Sequence, residues 1–348
     1  MVMGETGTGA AGRASAGSFA MRPARPDDEA AIVDLLAATL GWEADERHRA
    51  LFGWKHSDNP FGPSPGWVAE DATGIVGSRT LMRWAFRLGG ERVTAVRAVD
   101  TATHPRAQGR GVFRALTLHG IEQMTAEGVD WVFNTPNAAS APGYVKMGWR
   151  CLGHLPVSIR PAGLASLPRI ATARRPAELW STATSAGEPA GAVLADTAAL
   201  AGLLGSQPDD GRLRTDRSPA YLSWRYGASP VGYRALVGGG SVGGRSVGGG
   251  SVGDGVVLFR LRRRGPALEA AVAEVLVPGG DRRLAARLCR RVLDATCPDY
   301  LIRLGAPRPR GWLPVPGGGP LLTWRPLARP DSPPIERWDL SIGDVELF

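Results

Sequence analysis

The chain has 348 residues, of which 43% are apolar and 21% charged, and its formal net charge is +8. This composition is that of a globular protein long enough for two domains. Nearly all of the positive charge is arginine, because Lys55 and Lys146 are the only lysines. A solvated arginine surface accounts for such a charge, so we expect no nucleic-acid partner.

The spacing of the cysteines and the hydropathy of the chain indicate the compartment in which the protein is expected. Cys151, Cys289 and Cys297 have neither the spacing of metal ligands nor that of a disulfide framework, which predicts a cytoplasmic protein without a metal. No apolar run approaches about 18 residues, so we expect no transmembrane helix and no membrane partner. Residues 1–17 lack the apolar region of a secretory signal and are predicted to be a disordered leader.

The elements from residue 18 onward alternate between strands and helices. A short strand over 18–25 precedes an amphipathic helix that starts with acidic residues and stops at Gly41. Three strands joined by tight turns follow within 66–105. A helix, a strand over 130–137, a short helix that ends at Gly148 and a closing strand over 152–161 complete the first half. The order β-α-β-β-β-α-β-α-β predicts the α/β (α+β) class.

Three short segments of the first half return in the second half in the same order. "WKHSDNP" at 54–60 returns as "WRYGASP" at 224–230, "GW" at 148–149 returns at 311–312, and "SIRP" at 158–161 returns as "TWRP" at 323–326. This order predicts two copies of one fold. We expect the first domain at 18–161, an Ala/Pro-rich linker at 162–189 and the second domain at 190–348, with a flexible Gly-rich hairpin insertion at 238–255.

The stretch "HPRAQGRGVF" at 104–113 lies between a predicted strand and a predicted helix. A helix N-terminus presents free N–H groups and about half a positive charge. Gly109 and Gly111 permit positive φ and a close approach of a ligand to the backbone. Arg106, Arg110 and Arg114 add charge, so the turn predicts a pyrophosphate site; an ordinary turn with surface arginines is the alternative.

The position of this turn after the fourth strand resembles the GNAT N-acetyltransferases rather than a Rossmann fold. Their Gln/Arg-x-x-Gly-x-Gly/Ala motif binds the pyrophosphate of acetyl-CoA, and Gln108-Gly109-Arg110-Gly111-Val112-Phe113 matches it, with Phe113 in place of a small residue. A second motif of the family matches at Asn137, Ser140, Tyr144 and Gly148-Trp149. The resemblance covers about 20–161 and implies a mixed, mostly antiparallel sheet flanked by helices.

The resemblance also implies roles for single residues. Acetyl-CoA would be the co-substrate, with its pantetheine arm beside Thr101, Ala102 and Thr103 and bonded by Asn137. Residues 108–114 would hold the pyrophosphate: Gln108, Gly109, Arg110, Gly111, Val112, Phe113 and Arg114. Tyr144 would be the general acid, because a phenol is protonated at neutral pH and can donate to a thiolate. The matching turn of the second copy, "VPGGDRRLA", lacks the motif, so that copy is expected to be degenerate.

The base and the acceptor are less defined by the sequence. Asp100 at the end of the fourth strand is the first candidate for the base, and Glu70, Asp71, His104 and a water chain are alternatives. The acidic tail, "DSPPIERWDLSIGDVELF", ends in the Phe348 carboxylate, a group that resembles the base of some tandem GNAT enzymes. Aromatic residues that could line an acceptor pocket are Phe52, Trp54, Trp84 and Phe86.

The predicted activity is transfer of an acetyl group to a primary amine of a small molecule or peptide through a direct ternary complex. A homodimer is possible. Two other functions stay open: a catalytically silent CoA-binding scaffold, and a Fem-type aminoacyl transferase, which is also built from two such folds. The CoA motif argues against the second of these.

Overall fold

The computed structural model describes residues 18–239, 241–242, 245–246 and 250–345. The predicted leader at 1–17, part of the Gly-rich insertion and residues 346–348 lie outside this range. Over the described ranges, no helix combines the length and the apolar character needed to cross a bilayer.

The strands form two mixed sheets and one small hairpin. They are β1 (Ala20–Pro23), β2 (Gly66–Asp71), β3 (Gly74–Leu88), β4 (Glu91–Thr103), β5 (Trp131–Asn134), β6 (Arg150–His154), β7 (Val157–Pro161), β8 (Glu188–Pro189), β9 (Arg214–Thr215), β10 (Arg234–Val237), β11 (Ser241–Val242), β12 (Arg245–Ser246), β13 (Val256–Arg264), β14 (Ala267–Leu276), β15 (Tyr300–Leu304), β16 (Leu313–Pro314) and β17 (Leu321–Pro326).

The helices pack on the faces and ends of the two sheets. They are α1 (Glu29–Leu40), α2 (Glu46–His56), α3 (Val112–Ala126), α4 (Ala141–Lys146), α5 (Leu167–Thr172), α6 (Ala190–Val193), α7 (Thr197–Gly205), α8 (Pro219–Leu222), α9 (Arg282–Thr296) and α10 (Ile342–Val345). A π-helical turn, Ser223–Gly227, continues α8. The predicted α/β (α+β) class is confirmed, and the first helix stops at Gly41, whose φ is 73°.

The first sheet has the order β1-β2-β3-β4-β5-β17-β6, with β9 on one end of β3. Neighbouring strands are antiparallel except for the parallel pair β4 and β5. The second sheet has the order β8-β10-β13-β14-β15-β7-β16, with β14 and β15 as its one parallel pair. The two sheets of the described chain therefore share one order of pairing and one order of strand directions.

The halves of the chain exchange a strand. β17, from near the C-terminus, inserts between β5 and β6 of the first sheet. β7, from the first predicted domain, inserts between β15 and β16 of the second sheet. The single closing strand expected over 152–161 is therefore wrong: it is two strands in different sheets. The boundaries drawn at 161 and 190 stay predictions, but strand pairing crosses them in both directions.

The repeated segments at 54–60 and 224–230 meet where the halves pack together. The indole of Trp54 donates to the carbonyl of Trp224 at 2.8 Å, and the indole of Trp224 donates to the carbonyl of Trp54 at the same distance. The two rings stack with centroids 5.0 Å apart. The two segments thus meet in the buried core through a reciprocal pair of tryptophans.

Replacing Trp54 by Phe removes one of these two buried hydrogen bonds and leaves the Trp224 carbonyl without its donor. We expect the free energy of unfolding to fall by about 1–3 kcal/mol more than in the matched variant Trp131→Phe. Trp131 is equally buried, but its indole N–H has no partner among the described residues. Urea unfolding followed by circular dichroism measures both values, and equal losses would show that the reciprocal bonds contribute nothing.

Candidate functional site

The first sheet opens between β4 and β5. These parallel strands pair only from Ala95–Arg97 to Trp131–Phe133. Beyond Arg97, β4 continues to Thr103 paired with β3 alone, so a gap forms on its other side. A cavity of about 710 Å³ occupies this gap. Its walls are formed by Thr39, Leu40, residues 97–103, Gln108, Phe113, residues 134–137, Ala139, Ser140, Gly143, Tyr144 and Val345.

A β-bulge in β4 shapes one wall of this cavity. Ser78 pairs with Ala102 and Thr80 with Val99, so Asp100 and Thr101 together oppose the single residue Arg79. Asp100 has φ of 44°, a left-handed conformation that is uncommon outside glycine. A bulge of this kind re-aims side chains and leaves one residue outside the regular ladder. Here Asp100 and Thr101 both line the cavity.

The Asp100 carboxylate is held in a buried cluster with two basic side chains of α2. Its Oδ2 lies 2.5 Å from Nζ of Lys55 and 2.7 Å from Nε2 of His56. The other ring nitrogen of His56 lies 3.0 Å from the hydroxyl of Ser64. Burial alone would raise the pKa of Asp100, but the charge of Lys55 and the contact with His56 outweigh it and lower that pKa. A carboxylate so engaged is a weak base, which argues against its predicted role.

The turn at 104–113 adopts the positive φ angles that its glycines predict. A 3₁₀ turn, Pro105–Ala107, is capped by the His104 ring, which accepts from the N–H of Arg106. Gly109 and Gly111 have φ of 76° and 80°. Gly111 caps α3 without any side chain, and a Cβ at either glycine would meet no atom within 4 Å. The first N–H groups of α3 are therefore accessible to an anion.

Two arginines of the turn are less available to an anionic ligand than the sequence suggests, because a carboxylate already pairs with them. The guanidinium of Arg110 lies 3.0 Å from the Asp71 carboxylate, and that of Arg106 lies 3.8 Å from it. Hydrogen bonds from Thr73 and the guanidinium of Arg110 lower the pKa of Asp71 well below its usual range. Asp71 thus neutralises part of the predicted positive charge. This pairing also argues against Asp71 as a base, and Glu70 is likewise paired, with Arg22.

Tyr144 lies at the cavity wall and is almost fully buried. Its hydroxyl accepts a hydrogen bond from Nη1 of Arg79 at 2.8 Å. Phe113 packs edge-to-face on its ring, with centroids 5.4 Å apart. A Cβ at Gly143 would approach Phe113 to 3.1 Å, so glycine at this position makes room for the bulky residue of the motif.

Most of the predicted site residues meet at one cavity. Its lining includes Asp100, Thr101, Ala102, Thr103, Gln108, Phe113, Asn137 and Tyr144. Gly109, Arg110 and Gly111 lie in the turn beside it. Val112 is buried under the sheet and offers only its N–H, and Arg114 borders an adjoining pocket of about 370 Å³. Asn137 also has a local role, because its Oδ1 accepts from the N–H and hydroxyl of Ser140 ahead of α4.

The C-terminal segment forms a part of the site that sequence motifs did not place. Arg97, buried on β4, donates to the carbonyls of Asp344 and Val345 at 2.5 Å each, and Val345 lines the cavity. The Asp344 carboxylate accepts from the buried hydroxyl of Tyr221 at 2.9 Å. The tail therefore reaches the cleft through residue 345; Phe348 lies outside the described residues.

The four aromatic residues considered for an acceptor pocket do not line this cavity. Phe52, Trp54, Trp84 and Phe86 belong to the buried core between the sheets. The matching helix of the second half, α9, differs from α3 at its start. Asp281 caps it, and its carboxylate accepts from the N–H groups of Arg283 and Leu284. A side-chain carboxylate thus already occupies the place where an anion would bind.

Comparison with known proteins agrees with this geometry. A sequence model described as an acetyltransferase (GNAT) domain matches residues 20–152. The sequence of this segment is therefore similar to that of the GNAT acetyltransferase family. Acyl transfer is the general activity of that family. A search of curated protein sequences gave no significant match.

The GNAT likeness in fold extends over most of the chain. A probable N-acyltransferase from Enterococcus faecalis V583 has a TM-score of 0.58 and 10% identity, over 89% of this chain and 73% of that one. A GCN5-related N-acetyltransferase from Anabaena variabilis has 0.57 and 12%, over 90% and 73%. Eis1 from Mycobacterium abscessus has 0.53 and 17%, over 89% and 74%. At these identities the likeness shows the fold alone.

The buried cluster of Asp100, Lys55 and His56 beside the cavity predicts that the stability of the protein depends on pH. Burial lowers the pKa of His56, so the unfolded chain binds a proton at a higher pH than the folded protein does. Stability is therefore lost as the pH falls below about 6.5. We expect the melting temperature to fall less between pH 8 and pH 5 in His56→Gln than in the unmodified protein. His119→Gln, on α3, is the control, and equal slopes in all three proteins would contradict the assignment.

Proposed function

We propose that the chain transfers an acetyl group from acetyl-CoA to a primary amine of a small molecule or peptide. One observation carries the proposal: a single cavity between β4 and β5 has the bare N-terminus of α3 near one end and the Tyr144 hydroxyl in its wall. A thioester held there and an amine in the same cavity would react without a covalent enzyme intermediate.

The turn fits a pyrophosphate in both shape and charge. Open space at Gly109 and Gly111 allows phosphate oxygens to reach the backbone. The free N–H groups and the partial positive charge of α3 favour an anion there. In our proposal the pantetheine arm extends from this turn along Thr101, Ala102 and Thr103, and the amide nitrogen of Asn137 faces it, since the Asn137 oxygen is used by Ser140.

The proposed reaction is direct attack of the amine nitrogen on the thioester carbonyl carbon. We propose that a backbone N–H at the β4 bulge stabilises the negative charge that develops on the carbonyl oxygen. The C–S bond then breaks, and the Tyr144 hydroxyl donates its proton to the leaving sulfur. The nitrogen of the adduct loses a proton to water in the cavity, and Tyr144 regains a proton from that water. This route assigns Asp100 a structural part, because Lys55 and His56 hold its carboxylate.

The first test is calorimetric titration of the full chain with acetyl-CoA. We expect binding to weaken at least tenfold, about 1.4 kcal/mol, in Gly111→Asp, because the new carboxylate faces the phosphates. Gly90→Asp is the matched control: Gly90 also has positive φ, 82°, and open space around its Cα. Equal affinity in both variants would refute the phosphate site. The full chain is needed because the two halves exchange strands.

A second variant tests the acid. Tyr144→Phe removes only the hydroxyl, so we expect thiol release from acetyl-CoA in the presence of amines to fall by about 10²–10⁴-fold. Affinity for acetyl-CoA should stay within about twofold. Parallel loss of rate and affinity would contradict the acid role. Binding by the unmodified protein without thiol release for any amine would instead support a silent CoA-binding protein.

A further inference from the structure

Arg79 is the most unusual charged residue beside the cavity. Its side chain is fully buried, and no carboxylate of the described chain lies within ion-pair distance of it. Its Nε and Nη2 have no hydrogen-bond partner in the part of the chain that the structure describes. A buried cation without an anion is costly, and such a group in a native protein calls for an explanation.

The two side-chain hydrogen bonds of Arg79 go to residues of the proposed reaction centre. Its Nη1 donates to the hydroxyl of Tyr144 at 2.8 Å and also to that of Thr101. Its guanidinium carbon lies 5.4 Å from the centre of the Tyr144 ring. The bulge at residues 100–101 creates this arrangement, because it places Thr101 in the cavity wall opposite Arg79.

The direction of the hydrogen bond has a chemical consequence. A guanidinium can only donate, so the Tyr144 oxygen must accept from Arg79. The single proton of the hydroxyl is then left to donate elsewhere, and within the described ranges Tyr144 has no acceptor for it. Because Tyr144 lines the cavity, we infer that this proton points into the cavity. Arg79 thus fixes the tyrosine as a proton donor toward the ligand.

We propose that Arg79 is a positioning residue for acyl transfer, which orients the Tyr144 hydroxyl toward the sulfur and places a buried positive charge behind it. This inference rests on the proposed function and adds a residue to it. As the C–S bond breaks, the electron pair stays on sulfur and the proton passes from Tyr144 to it. The positive charge stabilises both the sulfur anion before transfer and the tyrosinate after it.

The first measurement is ligand binding, because binding can be measured without knowing the acceptor amine. The probes are CoA and desulfo-CoA, which lacks the sulfur, titrated into the full chain at pH 7 and pH 9. If the site favours a thiolate, the affinity for CoA relative to desulfo-CoA should rise about tenfold between these pH values. Arg79→Met should abolish that rise. Arg83→Met, on the same strand but paired with Glu127 at the surface, should retain it.

The second readout is thiol release from acetyl-CoA with hydroxylamine as the amine. We expect Arg79→Met to lower the rate about 10²-fold with acetyl-CoA affinity within threefold, and Arg79→Lys to recover part of it. In the Tyr144→Phe background, Arg79→Met should lower the rate of thiol release far less. An equal cost in both backgrounds, or a pH-dependent affinity ratio that survives in Arg79→Met, would overturn the inference.

Folding is checked by the melting temperature of each variant. A methionine in place of a buried cation that has no ion-pair partner among the described residues should preserve or raise the melting temperature. Arg79 would be structural only if Arg79→Met lowered the melting temperature strongly and the remaining folded protein still showed the pH-dependent ratio of CoA to desulfo-CoA affinity. Arg79→Lys would then show the same ratio. If the unmodified chain fails to bind acetyl-CoA, the proposed function itself fails instead.

Discussion

The bulge at Asp100 and Thr101 is the constraint on which the geometry of the site depends. A non-glycine residue with positive φ costs on the order of 1–3 kcal/mol unless its surroundings compensate. At Asp100 the compensation is the contact with Lys55 and His56, both from α2. Because α2 fixes the bulge, β4 can turn Thr101 toward Arg79 and leave its other edge free beyond Arg97. The cavity therefore rests on an ion pair that itself takes no part in the proposed chemistry.

The second half supports this cavity from three directions. β17 completes the first sheet between β5 and β6, the indole of Trp224 pairs with Trp54 just before Lys55, and the tail closes the wall at Val345. The carboxylate of Asp281 occupies its own helix start, which explains why the second half is not expected to bind CoA. One strand of the second half thus completes the first sheet, and its C-terminal segment reaches the cavity wall.

Local sequence patterns were sufficient for the parts of the site that lie within one turn. The positive φ of Gly109 and Gly111, the bare start of α3 and the placement of Tyr144 all follow from short motifs. The strand order before the turn also followed from alternating apolar residues and turn signals, because neighbours in sequence are neighbours in that sheet.

The remaining features depend on contacts between distant residues, and no local pattern could show them. The helix α2 was missed because three of its six buried residues, His48, Lys55 and His56, are polar, so no apolar stripe marks it in the sequence. The exchange of β7 and β17 was hidden because both strands have ordinary strand sequences, and only pairing assigns them to a sheet. Arg79 gave no signal either: one arginine among many reads as a surface residue until its burial is known.

In the proposed reaction the acceptor amine must lose a proton, and the charges around the cavity bear on where it does so. The acids considered as bases are already engaged: Asp100 with Lys55, Asp71 with Arg110, and Glu70 with Arg22. The buried cations Arg79 and Arg97 have no carboxylate partner among the described residues, which suits a ligand that brings or develops negative charge.

For the proposed reaction, a site of this polarity would favour a neutral amine over an ammonium, because burying a second cation beside Arg97 would cost more than burying an uncharged nitrogen. The proton is therefore best lost to water before the amine reaches the thioester, and no buried carboxylate is required for that step.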